Sequence, residues 1–171
     1  MSAVGDAGSG DAGSGSAGSG GAAALIEDFG LHIGQAMGWP RMAGRTAGVL
    51  MTSRAPLTLA QLMEVLGASK GSMSETTRLL ITNGTVERYK PTGSRQFVFR
   101  WRDDAWVGCL QHQLEQTAQL HALAERAQGR AEGLPPEQRQ RVRRMVEYYA
   151  FMTQRLEVLL AEFTASQAPE A

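Results

Sequence analysis

Cysteine is almost absent from this chain: Cys109 stands alone, so no internal disulfide can form, and no Cys/His cluster has the spacing of a metal site. Long apolar runs are absent too. No stretch approaches the roughly 18 apolar residues that would cross a bilayer, and the opening residues show no basic segment followed by an apolar run. The expectation is a cytoplasmic chain without membrane contact. No nucleophile, paired acid and base or phosphate-cradling loop stands out, so the residues indicate neither catalysis nor a cofactor. His32, His112 and His121 lack the one-turn spacing of helical metal ligands.

Net charge is also missing, since 17 Lys and Arg balance 17 Asp and Glu, but the balance is uneven along the chain. Residues 40–102 hold ten Lys and Arg (Arg41, Arg45, Arg54, Lys70, Arg78, Arg88, Lys90, Arg95, Arg100 and Arg102) against Glu64, Glu75 and Glu87. Acidic residues outnumber bases on both flanks. One basic block between acidic flanks is the electrostatic footprint of a module that binds nucleic acid.

Residues 1–21 are dominated by a Gly/Ser/Ala tract with nothing to bury, and a flexible tail is expected there. Residues 22–39 read as an N-terminal helix, with Leu25, Phe29, Ile33 and Met37 as its apolar stripe, packing with a dimerisation region. Residues 40–102 read as a DNA-binding domain. Pro40 opens a second helix facing inward with Met42, Ala43, Ala47, Leu50 and Met51. Thr58 caps a short third helix carrying Leu59, Leu62, Met63 and Leu66, which ends at Gly67, and Ser69 caps a fourth that Asn83-Gly84 terminates. The buried side of the fourth is expected at Met73, Thr76 or Thr77, Leu80 and Ile81. "TVERY" and "QFVFRW", rich in β-branched and aromatic residues, flank "KPTGS" and predict a hairpin. Helix, tight turn, helix and hairpin make a winged helix-turn-helix.

Residues 103–171 read as a helical dimerisation region. One long helix carries Trp106, Leu110, Leu114, Thr117, His121 and Ala124 along one side. After Gly129, Gly133 and Pro135-Pro136, a last helix alternates apolar residues by threes and fours at Val142, Met145, Tyr149, Met152, Leu156, Leu159 and Phe163. A partner chain is the economical cover for such a seam, which predicts a homodimer. The fold class is thus mainly α, or α+β: a winged helix with a small β-hairpin wing and long dimerisation helices.

The fourth helix carries Ser69, Lys70, Gly71, Ser72, Ser74, Glu75, Thr76 and Arg78 where a core helix would carry apolar bulk. A helix fits the major groove with its first turns toward base edges and its N-terminal amides toward phosphate. Gly71 allows close approach. The hydroxyls of Ser69, Ser72, Ser74 and Thr76 suit phosphates or bases, Lys70 and Arg78 suit phosphate or guanine, and Glu75 can accept from a cytosine amine. Lys90 and Arg95 flank the wing tip and suit the adjacent minor groove. Together these residues point to double-stranded DNA. Arg41 and Arg45 fit a phosphate clamp and a salt bridge to the first helix equally well.

With those residues set out, "FGLHIGQAMGWPRMAGRTAGVLMTS" (29–53) and "LTLAQLMEVLGASKGSMSETTRLLITNGTVERY" (57–89) resemble the GbsR-like members of the MarR family of winged-helix regulators. Ala68-Ser69-Lys70-Gly71-Ser72 stands where that group runs Ala-Ser-(Arg/Lys)-Gly-Ser. The resemblance implies a dimeric transcription regulator, usually a repressor, on an inverted-repeat operator, with a small-molecule effector lodged between the DNA-binding lobe and the dimerisation helices. Two departures stand out: the wing lacks a doubled basic pair after its Gly, and Thr85 replaces the usual apolar residue.

Some relatives of this group sense quaternary ammonium compounds, which directs attention to Trp101, Trp106, Tyr148, Tyr149 and Phe151 as a cage. Aromatics at helical spacing favour packing, and no ligand residue is assigned. Cys109 reads as a packed thiol rather than a redox switch. The competing function is a winged-helix protein-interaction module that never touches DNA.

Overall fold

A computed structural model describes residues 16–167. Residues 1–15 of the expected tail and residues 168–171 lie outside the described residues.

The first helix begins at Ser16, ahead of the expected Ala22, as α1 (Ser16–Asp28). Ala22, Ala23 and Ala24 are strong helix formers, and each residue added to an existing turn gains a hydrogen bond, so the helix propagates back through glycines. It continues through a π-helical turn (Phe29–Ile33) into α2 (Gly34–Met37), which Gly38 stops in the left-handed conformation. α3 (Arg41–Thr52) follows from Pro40 and is almost wholly buried from Ala43 to Leu50.

α3 crosses the first helix at the π turn. A side chain on Gly44 would come within 2.9 Å of the Gly30 Cα, so only glycine permits this crossing. The crossing also corrects the expected stripe. Leu25 and Met37 are exposed, while Ile26 packs on the core and Gly30 and Gly34 are buried. Within the chain this helix packs chiefly on α3 rather than on the C-terminal helices.

Two residues, β1 (Leu57–Thr58), pair with the wing before α4 (Leu59–Leu66) starts. Thr58 forms a full capping box: its hydroxyl accepts from the Gln61 amide at 3.2 Å, and the Gln61 side-chain carbonyl oxygen accepts from the Thr58 amide at 2.8 Å. Thr58→Ala is expected to cost about 1 kcal/mol and lower the midpoint of thermal unfolding by about 2–4 °C. An unchanged midpoint in a thermal melt would show that water replaces both bonds.

α5 (Lys70–Thr82) leads to β2 (Val86–Tyr89) and β3 (Val98–Trp101). The sheet is antiparallel in the order β1-β3-β2, with Arg88 opposite Phe99 and Glu87 opposite Arg100. Ala47, Leu50, Leu62, Leu66, Met73, Leu80, Val86 and Phe99 close one core beneath α3, α4, α5 and the sheet. Buried Thr85 is accommodated because its hydroxyl donates to the Leu80 carbonyl at 3.1 Å.

The chain ends in α6 (Ala105–Arg130) and α7 (Pro136–Ser166), antiparallel across a five-residue connection. Leu110, Leu114 and His121 are half-buried and Thr117 and Ala124 are buried, as their spacing predicts, but Trp106 is 52% exposed and lies off that stripe. Ala105, Val107 and Gly108 turn inward instead, because Gly108 runs backbone to backbone against Gly84 and fixes the rotation of α6. The α7 seam also serves differently from expectation. Val142, Met145, Tyr149, Met152 and Phe163 are half-buried and Leu156 is buried as α7 packs along α6 of the same chain, while Leu159 stays exposed. The five-residue connection folds α7 back along α6, which covers part of the seam within the chain.

Candidate nucleic-acid interface

Three residues join α4 to α5, and Gly67 at φ 61° makes the tight turn possible. Ser69 caps α5, its hydroxyl accepting from the Ser72 amide at 3.2 Å. From there the helix divides by face. Met73, Thr76, Thr77 and Leu80 are buried; Ser69, Lys70, Gly71, Glu75 and Arg78 are exposed, and Ser72 and Ser74 are half-buried beside them. Thr76 is therefore removed from the outward row, because it sits one turn from Met73 and Leu80 on the inward face. Ile81, expected inside, is partly exposed and lines a cleft.

That cleft, about 800 Å3, lies between α4, α5 and the wing. Leu59, Met63, Ile81, Phe97 and Phe99 supply apolar walls, and Lys70, Arg78, Arg88 and Arg95 supply four cations. Lys90 is exposed beside the wing turn, where Gly93 adopts φ 78°. The ten cations of the basic block separate into two groups. Arg41 and Arg45 each meet Glu27 at 2.8 Å, Arg100 meets Glu87 at 2.7 Å, and Arg102 makes two bonds to Asp104 at 2.8 and 2.7 Å. Arg54, Lys70, Arg78, Arg88, Lys90 and Arg95 have no carboxylate partner among the described residues.

Glu27 is held below the usual carboxylate range, first by its hydrogen bond from Arg41 and then by Arg45, so it stays charged and fastens α1 to α3. The same holds for Asp104 beside Arg102. Arg41 and Arg45 thus serve the salt bridge to the first helix. Burial pushes the Cys109 thiol up, which disfavours the reactive thiolate at neutral pH. His32 lies 3.1 Å from the Asp28 carbonyl, and no group of three metal-ligating side chains comes together among the described residues. Trp101 and Trp106 stack edge to face at 5.7 Å, and Tyr148 and Tyr149 do so at 5.1 Å, as two separate pairs.

Residue pattern does not single out two contributors to the cleft. Arg88 reads as one cation among ten, and Phe97 as a strand residue. The hairpin register is the signal that joins them: Arg88 faces Phe99, which puts Phe97 on the adjacent diagonal, within reach of a long side chain.

Comparison with known proteins agrees with this architecture. Residues 104–166 match the family described as MmpR5-like MarR family transcriptional regulators. The HTH-type transcriptional regulator MmpR5 of Mycobacterium tuberculosis is 34% identical over 116 residues, spanning 66% of this chain and 68% of that protein. The HTH-type transcriptional repressor OpcR of Bacillus subtilis is 33% identical over 67 residues, 39% of this chain and 36% of that protein. A crystal structure of a transcriptional regulator superposes with a TM-score of 0.78 at 26% identity, covering 85% of this chain and 99% of that one. The chain belongs to the MarR family of winged-helix transcriptional regulators.

Proposed function

We propose that this protein is a repressor of transcription that binds an inverted-repeat operator as a homodimer, within the GbsR-like branch of its family. The observation that carries the reading is the charged cleft: four cations without carboxylate partners among the described residues, gathered between the outward row of α5 and the wing. Like charges so placed repel one another until a polyanion enters. Gly71 adds support, because among the described residues a Cβ there would meet only the Ser69 hydroxyl oxygen, at 4.0 Å, so packing within them does not require glycine. An approaching backbone does. The interface so proposed comprises Ser69, Lys70, Gly71, Ser72, Ser74, Glu75 and Arg78 on α5, with Lys90 and Arg95 on the wing.

Residues 40–102 act as the reading domain and 103–171 as the dimerisation region. Tyr148, Phe151, Val158 and Leu159 on α7 and Leu120 and Leu123 on α6 remain exposed on helices that pack mainly on each other, which supports pairing through this region. A small-molecule effector acts by shifting the separation of the two reading heads. DNA binding is favoured over the interaction-module reading.

Selection of bound duplexes from a random library, followed by salt titration of the winner, tests the proposal. A pseudo-palindromic site is expected, with affinity falling steeply as salt rises because phosphate contacts release counterions. Lys70→Ala with Arg78→Ala removes two cations from each subunit and should lower the slope of log affinity against log salt by about four, one for each phosphate no longer neutralised across the dimer. Enrichment of no sequence, with binding weak even at low salt, would favour the interaction module instead.

A further inference from the structure

Phe97 is 45% exposed, so burial does not explain its place in the lining of the cleft. Its clearest contact is with Arg88, whose guanidinium carbon lies 3.7 Å from the ring centroid. Glu87, the acid adjacent to Arg88 in sequence, is engaged by Arg100. Among the described residues Arg88 is therefore held by a ring rather than by a carboxylate.

The distinction matters chemically. A carboxylate would occupy the N–H edge of the guanidinium and cancel its charge. A ring takes only the flat face, leaving the charge intact and the N–H fork free for an anion's oxygens. Fixing the side chain beforehand also removes part of the ordering cost of binding. Arg88 shares the cleft with Lys70, Arg78 and Arg95, so an anion seated there meets cations from both the reading helix and the wing.

We propose that Arg88 is a phosphate-contacting residue of the DNA interface and that Phe97 is its positioning residue, stacking the guanidinium so that its N–H edge meets the backbone strand lying between α5 and the wing. This rests on the DNA-binding reading above.

The test uses the full chain and a duplex enriched by the wild-type protein, with circular dichroism to confirm that each variant is folded. Arg88→Ala is expected to weaken binding at least about tenfold and lower the salt slope by about two, one for each subunit. Phe97→Leu keeps apolar bulk but removes the ring face, and should weaken binding roughly threefold to fivefold, with Phe97→Tyr restoring it. In the Arg88→Ala background, Phe97→Leu should cost nothing further, because a positioning residue has nothing left to position. Additive effects would mean that Phe97 touches DNA itself and would overturn the positioning role. An unchanged salt slope in Arg88→Ala, with the wild type still steeply salt-dependent, would overturn the phosphate contact while leaving the DNA reading intact. Absence of salt-dependent duplex binding by the wild type would overturn both.

Discussion

Replacing Gly108 with alanine is expected to destabilise the protein by about 2 kcal/mol, although alanine is the better helix former. Inside a helix the substitution alone would gain about 1 kcal/mol. Here the new Cβ would fall inside the Gly84 carbonyl, and the Gly84 Cα would lie 3.1 Å away. Both obstacles are backbone, and Gly84 is itself fixed at φ 72° by the turn that ends α5. No side chain can swing aside, so the helix must lift. Overpacking of this kind reaches about 3 kcal/mol, which leaves the net destabilisation given above. For a domain of this size the thermal midpoint should drop by roughly 4–8 °C. The consequence extends to the proposed interface, because this crossing connects the turn after α5 to the long helix α6. Operator affinity should fall in Gly108→Ala even where the chain is folded. An unaltered midpoint would mean that α6 does not pass the turn this closely.

Features legible in the residues alone are local, and those that are not depend on packing between segments distant in sequence. Thr58 and Ser69 act as caps where their spacing places them, because a cap bonds to an amide three residues away. The hairpin follows from β-branched residues around a Pro/Gly turn. β1 leaves no such signal because two residues carry no periodicity; pairing with Val98 and Phe99 makes them a strand. Trp106 reads as core by spacing, yet the Gly84–Gly108 crossing rotates α6 and leaves the ring outside. Thr76 illustrates the limit within a single helix. A hydroxyl suits either face, and the pull of its apolar neighbours Met73 and Leu80 decides only once the helix is docked. The basic block is visible as a charge excess, but which cations remain unpaired depends on Glu27 and Asp104 reaching their arginines. The charge excess is therefore legible as a region, and the set of cations that line the candidate site is not.

Leu80→Ala should be strongly destabilising on α5, at about 2–5 kcal/mol, while Ile81→Ala next to it should cost well under half as much. Leu80 is fully buried among Leu50, Leu62, Met73, Val86 and Phe99, where α3, α4 and the sheet meet α5. Truncation removes its transfer energy and leaves a cavity that α3, itself fixed by the glycine crossing, cannot collapse to fill. Ile81 faces the cleft at 37% exposure and gives up much less. Urea titration should show a lower midpoint for Leu80→Ala with the slope unchanged, as expected when the native core is weakened and the denatured state is not altered. Total stabilities of about 5–15 kcal/mol mean that this one change removes a large part of the margin. The salt dependence of DNA binding then separates anchoring from direct recognition. Lys70 and Arg78 remain in place on the opposite face, so the folded fraction of Leu80→Ala should keep the wild-type salt slope. A reduced slope would show that the core beneath α5 also sets the position of its cations against the phosphates.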